Sequence, residues 1–174
     1  RPIAARHLHS TVAVQCTPDV PESEDLLALA EQEPLIEAVV GWADLTSPAI
    51  GEVLDRLLAG PGGAYLRSLR HLVQGETDPS WLQRPDVERG LAAAGDRGLS
   101  YDVLVRSHQL DQAIDLADRF PDLPQVLDHA VFAAPDRADV RLLQADVLEQ
   151  LGYRAESGPW RDFYLTGAQE LRHG

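Results

Sequence analysis

The residues in this chain best suited to chemistry are histidines, arginines and a few amides, and many of them fall where apolar runs end. Trp42 and Asp44 close the run Ala38 to Asp44. Arg70 and His71 lie near the end of Leu66 to Val73, with Gln74 just beyond. Arg106 and His108 follow Tyr101 to Val105, and Asp128 and His129 close Gln125 to His129. Imidazoles and guanidinium groups brought together in this way suit an anionic or carbonyl substrate and general acid–base work. Each also reads as an ordinary loop residue. Asp128 and His129 alternate, so only one of the two faces a strand's inner side. His7 and His9 have the H-x-H spacing of metal-ligating strands, but they precede the first clear strand and read as a connector. Cys16 cannot form an internal disulfide, because it is the sole cysteine. It is expected to be a small buried hydrophobe at a strand end. The motifs H-E-x-x-H, G-x-S-x-G, G-x-G-x-x-G and the Walker loop are absent from the sequence, as are paired cysteines.

These residues must be positioned by strands and helices in alternation. Thr11 to Gln15 is a short β-branched run. Glu22 to Glu31 follows as a helix, with acidic residues in its first turn and Leu26, Leu27, Ala30 and Leu35 on its apolar face. Ala38 to Asp44 is nearly continuous in apolar character, as a strand buried on both faces would be. Ser47 and Pro48 read as the cap and first position of a helix to about Ala59. Leu66 to Val73 is the third strand. A helix opens near Ser80 and restarts after Pro85. Tyr101 to Val105 is the fourth strand. Gln109 to Phe120 is an amphipathic helix on Leu110, Ala113, Ile114, Ala117 and Phe120, and Gln125 to His129 is the fifth strand. Alternating strands and helical crossovers imply a parallel α/β sheet, either a (β/α) barrel or an open doubly wound sheet. Beyond His129 the texture becomes helical. Asp136 to Leu151 and a second helix from about Ser157, striped by Trp160, Phe163, Tyr164 and Leu165, form a C-terminal α-helical hairpin.

The net charge is −13, all fifteen basic residues are Arg, and Met is absent. An acidic surface repels phosphates and anionic lipids, so neither nucleic acid nor membrane is an expected partner. No apolar run approaches the ~20 residues that span a bilayer, and a cytoplasmic location is expected. A chain that opens on Arg1 and lacks Met reads as a fragment or a processed piece.

Two resemblances meet near His129. The stretches V-V-G-W-A-D-L at 39–45, L-R-H-L-V-Q at 69–74, S-W-L-Q-R-P-D-V at 80–87, L-S-Y-D-V-L-V at 99–105 and V-L-D-H at 126–129 carry the first. Over about residues 9–129 the chain resembles the amidohydrolase-related family of lactonase-like TIM-barrel hydrolases. The resemblance implies a partial (β/α) barrel with parallel strands and hydrolysis of a small-molecule sugar lactone or similar cyclic ester. It also implies that His129 lies in the active site with Arg70 and His71 close to it; taken with the strand-end positions of Trp42 and Gln74, the expected roles are catalysis for His129 and His71 and substrate contacts for Arg70, Trp42 and Gln74. Complete relatives are expected to use a divalent metal such as zinc. The family's first-strand H-x-H pair and last-strand acidic residue have no counterpart here, so no metal ligands are assigned and this chain is expected to be inactive.

The second resemblance rests on H-A-V-F-A-A-P at 129–135, L-Q-A-D-V-L-E-Q-L-G-Y at 143–153 and W-R-D-F-Y-L-T-G-A-Q-E-L-R at 160–172. Residues from about 129 to 174 resemble the dimerisation region of linear alkylsulfatases of the metallo-β-lactamase superfamily. This implies a homodimer through the C-terminal helices and a second reading of the chain as a non-catalytic oligomerisation module. The expected domains are therefore 1–129 and 130–174.

Overall fold

The computed structural model describes residues 10–106 and 109–128. It contains five strands, β1 (Thr11–Val14), β2 (Ile36–Gly41), β3 (Leu66–His71), β4 (Ser100–Leu104) and β5 (Gln125–Asp128), and four α-helices, α1 (Val20–Gln32), α2 (Ile50–Ala59), α3 (Pro85–Gly95) and α4 (Leu110–Arg119). The strands form one parallel sheet in chain order. This is the strand–helix succession of a TIM-type barrel, present in part. The expected C-terminal hairpin and the boundary near His129 lie outside the described residues, as do His7, His9 and His108.

The described residues divide into two compact units, 10–71 with 83–101 and 72–82 with 102–128. In the first, β2 is the most deeply set strand: Ala38, Val39, Val40 and Gly41 are all buried. Leu27 and Ala30 of α1, Leu54 and Leu57 of α2, and Val87, Leu91 and Ala94 of α3 complete that core. Backbone contacts are close enough to demand glycine. Gly62 has φ 66°, and a Cβ there would lie 1.9 Å from the carbonyl oxygen of Leu27. In the second unit Val73, Leu82, Val103, Leu104, Leu116 and Leu127 are buried. Gln109 fastens its loops, accepting from the Arg106 N–H at 2.9 Å and donating to the Val73 carbonyl at 3.1 Å.

Several expected boundaries shift, each for a local reason. The second strand runs Ile36–Gly41 rather than Ala38 to Asp44, because the N–H and C=O of Trp42 bond to Ser23 and leave the ladder. Leu35 lies beyond the end of α1 and is exposed. Ser47 and Pro48 do not start α2. The Asp44 carboxylate accepts from both the N–H and the hydroxyl of Thr46, the Ser47 N–H donates to the Asp44 carbonyl, and Ser47 Oγ accepts from Ala49. That turn delays the helix to Ile50. The third strand ends at His71, and a 3₁₀ turn takes up Val73–Gly75. Trp81–Gln83 is a 3₁₀ turn as well, ahead of α3. Ile114 is 44% exposed, at the margin of a narrower stripe of Leu110, Ala113 and Leu116.

Cys16 is exposed rather than buried. The strand stops at Val14, the next residue, Gln15, turns inward, and Cys16 turns out. Its N–H and that of Thr17 both donate to Glu22 Oε2.

Candidate functional site

In parallel α/β folds the ends that collect ligand-binding groups are the C-terminal ends of strands. In the first unit these ends hold Gln15 after β1, Trp42 after β2, and Arg70 and His71 at the end of β3. Arg70 and His71 are consecutive in an extended strand, so their side chains leave opposite faces. The structure gives them different partners accordingly.

On one face, the indole Nε1–H of Trp42 donates to Nδ1 of His71 at 3.1 Å, with the rings tilted 31° and their centroids 6.4 Å apart. An indole N–H can only donate, so Nδ1 is the accepting nitrogen and the imidazole proton sits on Nε2. In the uncharged ring this contact selects one tautomer, the one that carries its proton on Nε2. A second proton on Nδ1 would break the bond to Trp42.

On the other face, Arg70 reaches across β2 to β1. Its Nη2 donates to the Gln15 carbonyl oxygen, and the Gln15 amide Nε2 donates back to the Arg70 carbonyl at 3.1 Å. The Gln15 N–H continues the ladder to the Val40 carbonyl at 2.9 Å. Gln15 is fully buried. The pair brackets the middle strand and fixes the relative height of β1 and β3.

Behind the rim stands Ser23, in the first turns of α1 and fully buried. Its hydroxyl accepts from the Trp42 N–H at 2.7 Å and donates to the Trp42 carbonyl at 3.0 Å. Gly41 leaves it room: a Cβ there would lie 3.2 Å from Ser23 Oγ and 3.0 Å from Leu66 Cδ1.

Of the residues singled out in the sequence, the structure brings together Trp42 and His71 and places Arg70 on the neighbouring strand position with Gln15. Gln74 is exposed in the 3₁₀ turn of the second unit. His129 lies outside the described residues. Gln15 and Ser23 escape sequence reasoning. A polar residue directly after an apolar run was the available signal for Gln15. Ser23 in an acidic first turn resembles any solvated helix serine.

Two ion pairs lie on the helical layer. Arg97 forks onto Asp55 at 2.7 and 3.0 Å and holds that carboxyl below the usual aspartate range. Arg84 does the same to Asp86. A cleft of about 360 Å³ lies between α1 and α2, lined by Glu24, Asp25, Arg56 and Leu57. Among the described residues no three His, Cys, Asp or Glu side chains stand together as a metal's ligand set, and His71 turns Nδ1 to an N–H donor. These residues do not fit a metal centre. No described helix is long and apolar enough to cross a membrane.

The parallel βα scaffold is that of a partial TIM-type barrel, and similar proteins share that architecture. It is 37% identical over 142 residues to an L-fucono-1,5-lactonase of Burkholderia multivorans, covering 79% of this chain and 47% of that protein. A crystal structure of an amidohydrolase from Burkholderia multivorans with bound zinc matches with TM-score 0.70 and 27% identity, over 98% of this chain and 66% of that one. Residues 118–174 match the alkyl sulfatase dimerisation family. A linear primary-alkylsulfatase of Pseudomonas is 66% identical over 50 residues, 29% of this chain and 7% of that protein. The chain thus spans less than half of the curated lactonase and a small part of the alkylsulfatase. It resembles amidohydrolase-type lactonases over most of its length and an alkylsulfatase dimerisation region at its end.

Proposed function

We propose that the barrel portion is the binding half of a hydrolase for sugar lactones or similar cyclic esters, with His71 as carbonyl polariser. The observation that carries this reading is the 3.1 Å bond from Trp42 Nε1 to His71 Nδ1. It places the imidazole proton on Nε2, the tautomer a group that stabilises the developing oxyanion of acyl transfer from that nitrogen would need. In lactone hydrolysis water adds to the carbonyl carbon, the ring C–O bond breaks, and the ring oxygen leaves as a hydroxyl. Trp42 is assigned to orienting His71. His129 keeps the acid–base role that its V-L-D-H strand suggests by resemblance. Arg70 supports the rim through Gln15 and is the candidate for holding a substrate carboxylate or hydroxyl.

This chain is expected to turn over such esters very slowly or not at all, because the H-x-H strand and last acidic residue of the lactonase pattern have no match in it. The test is a pH-stat assay on a panel of sugar lactones. Background rates are expected. Clear turnover that disappears in His129→Ala would contradict the inactivity, and turnover indifferent to both His129→Ala and His71→Gln would remove these residues from the reading.

A second reading is favoured by the match of residues 118–174 to a dimerisation family: the chain self-associates through its C-terminal part. Sedimentation equilibrium of the full chain is expected to show a dimer. A monomer at high concentration would sink this reading.

A further inference from the structure

We propose that Ser23 is a positioning residue that sets the tautomer of His71, acting through the backbone of Trp42. One oxygen, Ser23 Oγ, bonds both the N–H (2.7 Å) and the C=O (3.0 Å) of residue 42. Those two groups flank the Cα of Trp42, so tying both to one atom fixes the backbone there and with it the direction of the Cα–Cβ bond. The indole then falls with Nε1–H on His71 Nδ1 at 3.1 Å. The hydroxyl itself has little freedom. Ser23 is 0% exposed, is held on the first turns of α1, and approaches the Asp19 carbonyl at 3.5 Å. A hydroxyl suits this place because it accepts and donates at once.

The chain of contacts is therefore Ser23 Oγ, the Trp42 backbone, the Trp42 indole, His71 Nδ1, and finally the proton on His71 Nε2. Gly41 belongs to the device, since a Cβ there would press on Ser23 Oγ at 3.2 Å. The value of this arrangement to a lactone or ester site rests on the reading above, but the tautomer does not, and its test needs no substrate.

The experiment is long-range ¹H–¹⁵N NMR of the imidazole of His71 in the full chain, at a pH well above the ordinary histidine value of about 6.5. In the parent chain the two ring nitrogens are expected to be widely separated, with Nε2 protonated. In Ser23→Ala the separation is expected to shrink as the second tautomer gains population, and the Trp42 indole N–H resonance is expected to move. Ser23→Thr, which keeps the hydroxyl, is expected to restore both signals. Trp42→Phe is expected to release the tautomer with Ser23 intact, and it serves as the readout should Ser23→Ala fail to fold. A folded Ser23→Ala with unchanged His71 nitrogens would overturn the proposal, as would a Trp42→Phe that leaves them unchanged. Absence of lactone binding alongside the expected nitrogen shifts would count against the hydrolase reading alone.

Discussion

The two faces at the end of β3 use neighbouring residues for opposite ends. On the Arg70 face, a guanidinium and a buried amide exchange hydrogen bonds with each other's backbone across β2 and tie β1 to β3. On the His71 face, the bond from the Trp42 indole sets which ring nitrogen accepts and which carries the proton. One face ties strands together; the other sets a proton in place. The lesson is that polarity at a strand end does not by itself mark chemistry, because strand alternation separates groups that are adjacent in sequence.

Substitutions should break the two faces differently. The largest losses are expected beneath both, in the packed base. Leu54→Ala should cost about 2–5 kcal/mol in urea unfolding, since its side chain is fully buried and deletion leaves a cavity. Gly62→Ala should be comparably severe, as the new Cβ meets the Leu27 carbonyl at 1.9 Å. Neither folded variant should alter the His71 tautomer.

Next comes the Arg70 face. Arg70→Met keeps much of the side chain's length but deprives the buried Gln15 carbonyl of a donor, which should cost about 1–3 kcal/mol. The His71 nitrogens should stay as they were. If they shift as well, the two faces are coupled and the separation drawn here is wrong. Trp42→Phe should do the reverse, lowering stability by about 1 kcal/mol, the net worth of one hydrogen bond, while changing the tautomer.

The smallest effect is expected far from the rim. Arg97 holds Asp55 below the ordinary aspartate value of 3.8 by side-chain hydrogen bonding. A depressed carboxyl stabilises the fold above its unfolded value and loses that contribution as pH falls through the folded one. The difference in urea midpoint between the parent chain and Asp55→Asn should therefore be small near neutrality, begin to shrink near pH 3.8, and vanish only as pH falls through the lower folded value. A difference that grows with acidification would have the wrong sign.

Much of this fold was legible because parallel strands advertise themselves. Val39 and Val40 sit in an apolar run that only a doubly covered strand needs, and the alternation of such runs with amphipathic helices fixed the order of elements. Boundaries were less legible where polar side chains compete for the backbone. Ser23 ends β2 early by capturing Trp42, and Asp44 with Thr46 delays α2. Cys16 was misplaced by the same cause, because a strand one residue shorter reverses which neighbour turns inward. At the site, His71, Arg70 and Trp42 could be picked out by type and place, but their division between two faces depended on a register that sequence does not print. Gln15 and Ser23 could not be found, since each owes its role to a partner far away in the chain: Arg70 for the first, Trp42 for the second.

The comparison turns on one proton. Long-range ¹H–¹⁵N NMR of His71 in the unmodified chain reads its position directly. The account predicts a neutral ring with Nε2 protonated and Nδ1 bare, coupled to a hydrogen-bonded Trp42 indole. A proton on Nδ1 would place two donors face to face, and the assignment of His71 as a carbonyl polariser would fall with it.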